Sequence, residues 1–101
     1  MPNSRTNKLT RAEVYARIDS ERAYQESRWT DPTEPQLSVH HSFEEWCVYI
    51  EDYLDEMKHW LARRPLAAPD EAGELMRKVA AMAVCCLEQH GCEPRGLPPT
   101  A

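Results

Sequence analysis

Residues Ser42–Leu61 read SFEEWCVYIEDYLDEMKHWL, and this run decides the fold. Trp46, Ile50, Tyr53, Met57 and Trp60 recur at steps of four, three, four and three, the spacing that stacks side chains on one face of a 3.6-residue period. The run therefore predicts a helix with one core-facing stripe. Ser42 and Glu45 supply its start as a capping box, in which the hydroxyl accepts from a free backbone N–H and the carboxylate reaches back to the N–H of the cap. The opposite flank is acidic. Asp52, Asp55, Glu56 and His59 fall at i, i+3, i+4 and i+7, where a divalent cation or a cationic partner would meet several of them together.

On the N-terminal side, Thr10 and Glu13 form a second capping box, and Leu9 and Val14 are placed to act as a hydrophobic staple. They open a first helix whose apolar face runs Val14, Ile18 and then Trp29. Continuing that face by helical steps lands on Arg22 and Gln25, flanked by Glu21 and Arg28. Polar groups thus occupy places where core residues are expected, either as the solvated end of an amphipathic helix or as a polar site at the end of a bundle. The stretch Thr30–His41, TDPTEPQLSVHH, has two prolines and no periodicity and reads as a loop, long enough to be a binding loop or lid. His40 and His41 close it, as pH-sensitive contacts or ordinary surface residues.

On the C-terminal side, Arg63 and Arg64 suit the dipole at the end of the central helix. Pro65 and Pro69 mark the turn that follows, and Asp70 is placed as an N-cap. A third helix is expected over residues 71–90. Leu75, Val79, Met82 and Cys86 mark one apolar stripe, and Met76, Ala80, Ala83 and Leu87 a second. So wide an arc needs two neighbours, and what they leave uncovered suits a dimer or higher oligomer. Gly91 is placed as a left-handed stop, and three prolines keep the tail irregular. The expectation is an all-α bundle of three main helices: a loose start over residues 1–9, one domain over 10–91 and an irregular tail over 92–101.

The 101 residues carry a formal net charge of −5, which argues against a general nucleic-acid binder. No apolar run approaches a spanning length and the start of the chain lacks a signal-peptide core, so no membrane contact and a cytoplasmic location are expected. In a reducing compartment the four cysteines need not pair. Cys86, His90 and Cys92 supply three zinc-type ligands without a fourth, and buried thiols on an apolar helix account for them better. No glycine-rich phosphate loop, nucleophile elbow or HExxH helix is present.

Three segments carry a resemblance. Glu21-Arg22 with Gln25, Arg28 and Trp29, then Glu45-Trp46 leading into IEDYLDE, then ELMRKVAAMAVCCLEQ look, in that order, like the MazG-like branch of the all-α nucleoside triphosphate pyrophosphatases, small phage and prophage members above all. The match spans about Ile18 to Gln89, and its first segment is the most specific. The resemblance implies an oligomer that binds Mg²⁺ through carboxylates and cleaves a nucleotide between its α- and β-phosphates. Carried over by position, Asp52 and Glu56 are the catalytic and metal-binding acids, joined by Glu74, while Arg22, Gln25, Arg28, Trp29 and Lys78 meet the nucleotide. Tyr53 stands where the family has another carboxylate, and Leu75 and Lys78 replace an ExxD pair. Three functions follow: a pyrophosphohydrolase with a reduced metal site, a non-catalytic sponge for a nucleotide signal, or a protein-binding inhibitor of a host defence factor.

Overall fold

The computed structural model describes residues 8–30, 33, 39–63 and 68–96. Expectations for residues 1–7, the middle of the loop, Pro65 and the last five residues lie outside them. Three helices, α1 (Arg11–Arg28), α2 (Phe43–Arg63) and α3 (Ala68–His90), make up the regular structure of the described residues apart from a single bridge residue at Thr30.

Both capping boxes form. Glu13 N–H donates to the Thr10 hydroxyl at 3.2 Å and Thr10 N–H to the Glu13 carboxylate at 2.8 Å; the same exchange joins Ser42 and Glu45 at 3.1 and 2.9 Å. Each box satisfies two N–H groups that a helix start leaves without intrahelical partners. Helix α3 begins at Ala68, earlier than expected, so Pro69 and Asp70 both fall in its first turn. Pro69 is tolerated there because a first-turn N–H has no carbonyl to bond. The helix ends as expected, with Gly91 at φ 78° and its N–H donating to the Leu87 carbonyl at 2.7 Å.

Helix α3 is the centre of the molecule. Both other helices pack on it, and they scarcely touch each other. The core lies along the α2–α3 seam, where Trp46, Met82, Cys85 and Cys86 are buried and Trp29, Ile50 and Tyr53 pack against them. Trp46, 2 % exposed, is the largest contributor: burying 150–250 Å² of indole stabilises by about 4–6 kcal/mol as an upper bound. Leu75, Met82 and Cys86 of the first α3 stripe are buried as expected. The second stripe turns outward instead, with Met76 51 % and Leu87 44 % exposed, because α1 and α2 occupy the other faces. The result is flat, 47 × 45 × 23 Å, with a radius of gyration of 16.2 Å, where a compact chain of this length has about 13 Å.

Helix α1 meets α3 through charge. Glu21, Arg22 and Gln25 are its buried residues, so the polar continuation of its apolar face is internal and not a solvated end. Arg77 Nε donates to the Glu21 carboxylate at 2.7 Å and Arg22 Nε to Glu88 at 2.8 Å, which bonds this seam by ion pairs where α2 uses apolar contact.

Candidate functional site

The α1 helix stops at Trp29, whose N–H donates to the Gln25 carbonyl at 2.8 Å. The loop that follows returns to the same point, because Val39 N–H donates to the Trp29 carbonyl at 2.8 Å. The end of α3 then fastens it. Gln89 accepts from the Trp46 indole N–H at 2.9 Å and from the His41 N–H at 3.2 Å, and its amide donates to the Val39 carbonyl at 3.0 Å. His90 adds a donation from Nε2 to the His41 carbonyl at 2.7 Å. A carbonyl can only accept, so that nitrogen carries the proton. Phe43 stacks on the His90 ring at 4.3 Å and His40 meets it edge-on at 4.9 Å. The loop end, the start of α2 and the end of α3 thus form one clamped corner.

Against that corner lies a cavity of about 460 Å³. Its walls are mainly aromatic: Trp29 and Trp46, with centroids 6.4 Å apart and planes at 48°, then Tyr49 edge-on to Trp46 at 6.2 Å, and Tyr53. Met82 of α3 contributes to it, and His41, Arg28 and Asp52 bring polar groups to its edge. A smaller, more polar cavity of about 220 Å³ shares Arg28, Trp29 and Tyr53 with it and adds Glu21, Gln25 and Lys78. The two chambers adjoin. Arg28 donates from Nη1 to the Tyr24 hydroxyl at 3.2 Å and lies over that ring, which leaves its charge unneutralised by a carboxylate among the described residues. The Lys78 ammonium lies 6.0 Å from the centre of the Tyr53 ring, within cation–π range.

The sequence-derived residues divide accordingly. Arg28 and Trp29 line both chambers, Gln25 and Lys78 the polar one and Asp52 the aromatic one. Arg22 goes elsewhere: it reaches Glu88 at 2.8 Å and Glu26 at 3.2 Å, a structural pairing across the α1–α3 seam. Gln25 is buried; its amide donates to the Lys78 carbonyl at 3.3 Å, and its Oε1 has no partner among the described residues.

The three expected metal-binding acids do not line one common cavity. Asp52 borders the aromatic cavity, Glu56 lines a different one with His59, Trp60 and Arg63, and Glu74 lies 4.0 Å from the Arg77 guanidinium. Mg²⁺ demands oxygen ligands in near-octahedral array. Among the described residues no three His, Cys, Asp or Glu side chains are grouped to hold one ion. Cys86 is buried, as expected of a thiol on an apolar helix, and Cys92 is exposed. Burial pushes the Cys86 thiol up. The Glu45 carboxyl is held below its usual range first by the Ser42 N–H, with His41 nearby also lowering it.

Gln89, Tyr49 and Val39 belong to the site without having been expected there. Gln89 had a signal, because it continues the Met82–Cys86 stripe by one helical step. We compared the chain with known protein families, curated proteins and solved structures, and none matches.

Proposed function

We propose that the protein binds a nucleotide, with the base in the aromatic cavity and the phosphate end toward Arg28 and Lys78. The observation that carries this reading is the pairing of the two chambers. One offers flat apolar rings suited to stacking a base, the other cationic groups suited to phosphate, and Arg28, Trp29 and Tyr53 belong to both. A cavity of about 460 Å³ lies within the 300–1,000 Å³ range of small-ligand sites. The resemblance of Glu21–Trp29 to the MazG-like pyrophosphatases points the same way.

Trp29 and Trp46 report on the site directly. Their emission should change on titration with a nucleoside monophosphate and triphosphate panel, and Arg28→Ala should weaken binding tenfold to a hundredfold, the range of about 1.5–3 kcal/mol for a charge-assisted contact. A wild-type protein that binds no nucleotide at millimolar concentration overturns the proposal and makes the protein-binding alternative the leading one.

Pyrophosphohydrolysis is the second reading, favoured by one observation: Asp52 borders the proposed ligand cavity with Glu56 one turn further along α2. It needs acids from beyond this set to complete a metal site. Release of pyrophosphate in Mg²⁺ or Mn²⁺, abolished by Asp52→Asn, would support it; binding without release leaves the sponge.

Assembly at least to a dimer belongs to the same proposal. Leu9, Val14 and Met76, all substantially exposed, line an apolar groove between α1 and α3, and a second copy would cover it. Light scattering at micromolar concentration decides this, since a clean monomer excludes it.

A further inference from the structure

We propose that the cavity selects guanine and that Asp52 reads the base. This rests on the nucleotide reading above and names its ligand class. Among the described residues that line the aromatic cavity Asp52 is the single carboxylate, and it makes no hydrogen bond or ion pair with any described residue. It follows Tyr49 by three positions and precedes Tyr53 by one on α2, so it stands at the rim between two aromatic wall residues. A base stacked against Trp29, Trp46 or Tyr53 would turn one polar edge toward it.

The chemistry of the edges then discriminates. An ionised carboxylate only accepts, through two oxygens in one plane. Guanine alone among the common bases presents two adjacent donors, N1–H and the N2 amino group, and these match both oxygens at once. Adenine and cytosine set one amino group beside a ring-nitrogen lone pair. Uracil sets its single N–H between two carbonyls. Each of these turns a lone pair toward the negative charge, which repels it and leaves one carboxylate oxygen without a donor. A base held by its edge and stacked on aromatic rings is a recurrent mode of base reading. Arg28, on the same cavity and without a carboxylate partner among the described residues, is placed to meet the phosphate.

The experiment is a calorimetric titration of the full chain with GMP, IMP, AMP, CMP, UMP and XMP, in EDTA and again in Mg²⁺. The wild type should bind GMP about tenfold more tightly than IMP, which lacks the N2 amino group; that factor corresponds to about 1.4 kcal/mol. AMP, CMP and UMP should bind more weakly than IMP. Asp52→Asn should lose the preference for GMP and gain XMP, whose N1–H and C2 carbonyl match the acceptor and donor of an amide. Equal binding of GMP and AMP overturns the guanine assignment while leaving the nucleotide reading intact, and absence of all binding overturns both. A GMP preference that appears only with Mg²⁺ makes Asp52 a metal ligand and overturns the base-reading role. If Asp52→Asn fails to fold, the wild-type order of GMP, IMP and AMP decides the matter unaided.

Discussion

Replacing Gln89 with Leu should damage this protein more than replacing any exposed residue of α3. The side chain makes three hydrogen bonds of good length, at 2.9, 3.2 and 3.0 Å, to a side chain, a backbone N–H and a carbonyl from two other segments. Each such bond contributes about 0.5–1.5 kcal/mol net, and a buried donor left without a partner costs about 1–3 kcal/mol. Trp46 is 2 % exposed, so its indole N–H would be such a donor. Leucine recovers part of the loss by apolar contact, which leaves a net cost of about 2–4 kcal/mol. For a chain of this size that lowers the melting temperature by roughly 8 °C or more. Gln89→Glu keeps both acceptor contacts but loses the donations to the Val39 carbonyl and Cys85 Sγ and sets a carboxylate oxygen against that carbonyl, so it too should destabilise, by about 1–3 kcal/mol. Urea unfolding followed by far-ultraviolet circular dichroism, with the slope checked for constancy, reads both variants. If Gln89→Leu unfolds within 0.5 kcal/mol of wild type, the clamped corner does not exist as described, and the placement of Val39 and His41 on the cavity wall falls with it.

Three further outcomes are expected. Arg22→Ala should destabilise by about 1–3 kcal/mol in the same assay, because it breaks the contact of the buried Arg22 with the half-exposed Glu88, whereas Gln25→Met, which gives up one 3.3 Å donation to the Lys78 carbonyl together with an acceptor that has no partner among the described residues, should cost about 1 kcal/mol or less. Iodoacetamide at pH 8 should modify the exposed Cys47 and Cys92 and spare Cys85 and Cys86 in the native protein, as mass spectrometry of the digested product will show; Cys86 holds its proton more firmly when folded, so stability tied to it is present at neutral pH and is lost as pH rises past the ordinary thiol range. The Glu45 carboxyl is depressed in the folded state, so its capping contribution is complete above the ordinary glutamate value of 4.5 and fades as pH falls below it. Amide exchange should accordingly quicken at the first turn of α2 before the rest of that helix.

Local chemistry was legible in the sequence where both partners lie within one turn. The two capping boxes, the Trp46–Trp60 stripe and the Gly91 stop all depend on neighbours three to five residues apart, and all formed. The early start of α3 escaped because a first-turn proline and a cap position carry nearly the same sequence signature. Periodicity also showed that α3 has two apolar stripes without showing which one its neighbours would take. That depends on how far α1 and α2 diverge, a property of packing across the whole chain. The same limit explains the site. Arg22 and Gln25 lie on one face, yet the longer Arg22 side chain extends to Glu88, 66 residues away, while Gln25 stays beside the cavity. Gln89 continues the Met82–Cys86 stripe, but its three partners come from segments 43 to 50 residues away and no local pattern announces them.

Because α1 and α2 are joined to α3 and hardly to each other, the molecule resembles a clothes-peg with α3 as its spring and the aromatic cavity between its jaws. Trp29 belongs to one jaw and Trp46, Tyr49 and Tyr53 to the other, so an occupant touching both would reinforce the Trp29–Trp46 contact that joins them. The ion-paired α1–α3 seam should then be the part whose opening is most suppressed by an occupant, and the part most weakened by salt when none is bound. Occupancy would thus be legible from the far side of the fold, as a change in how firmly α1 sits on α3.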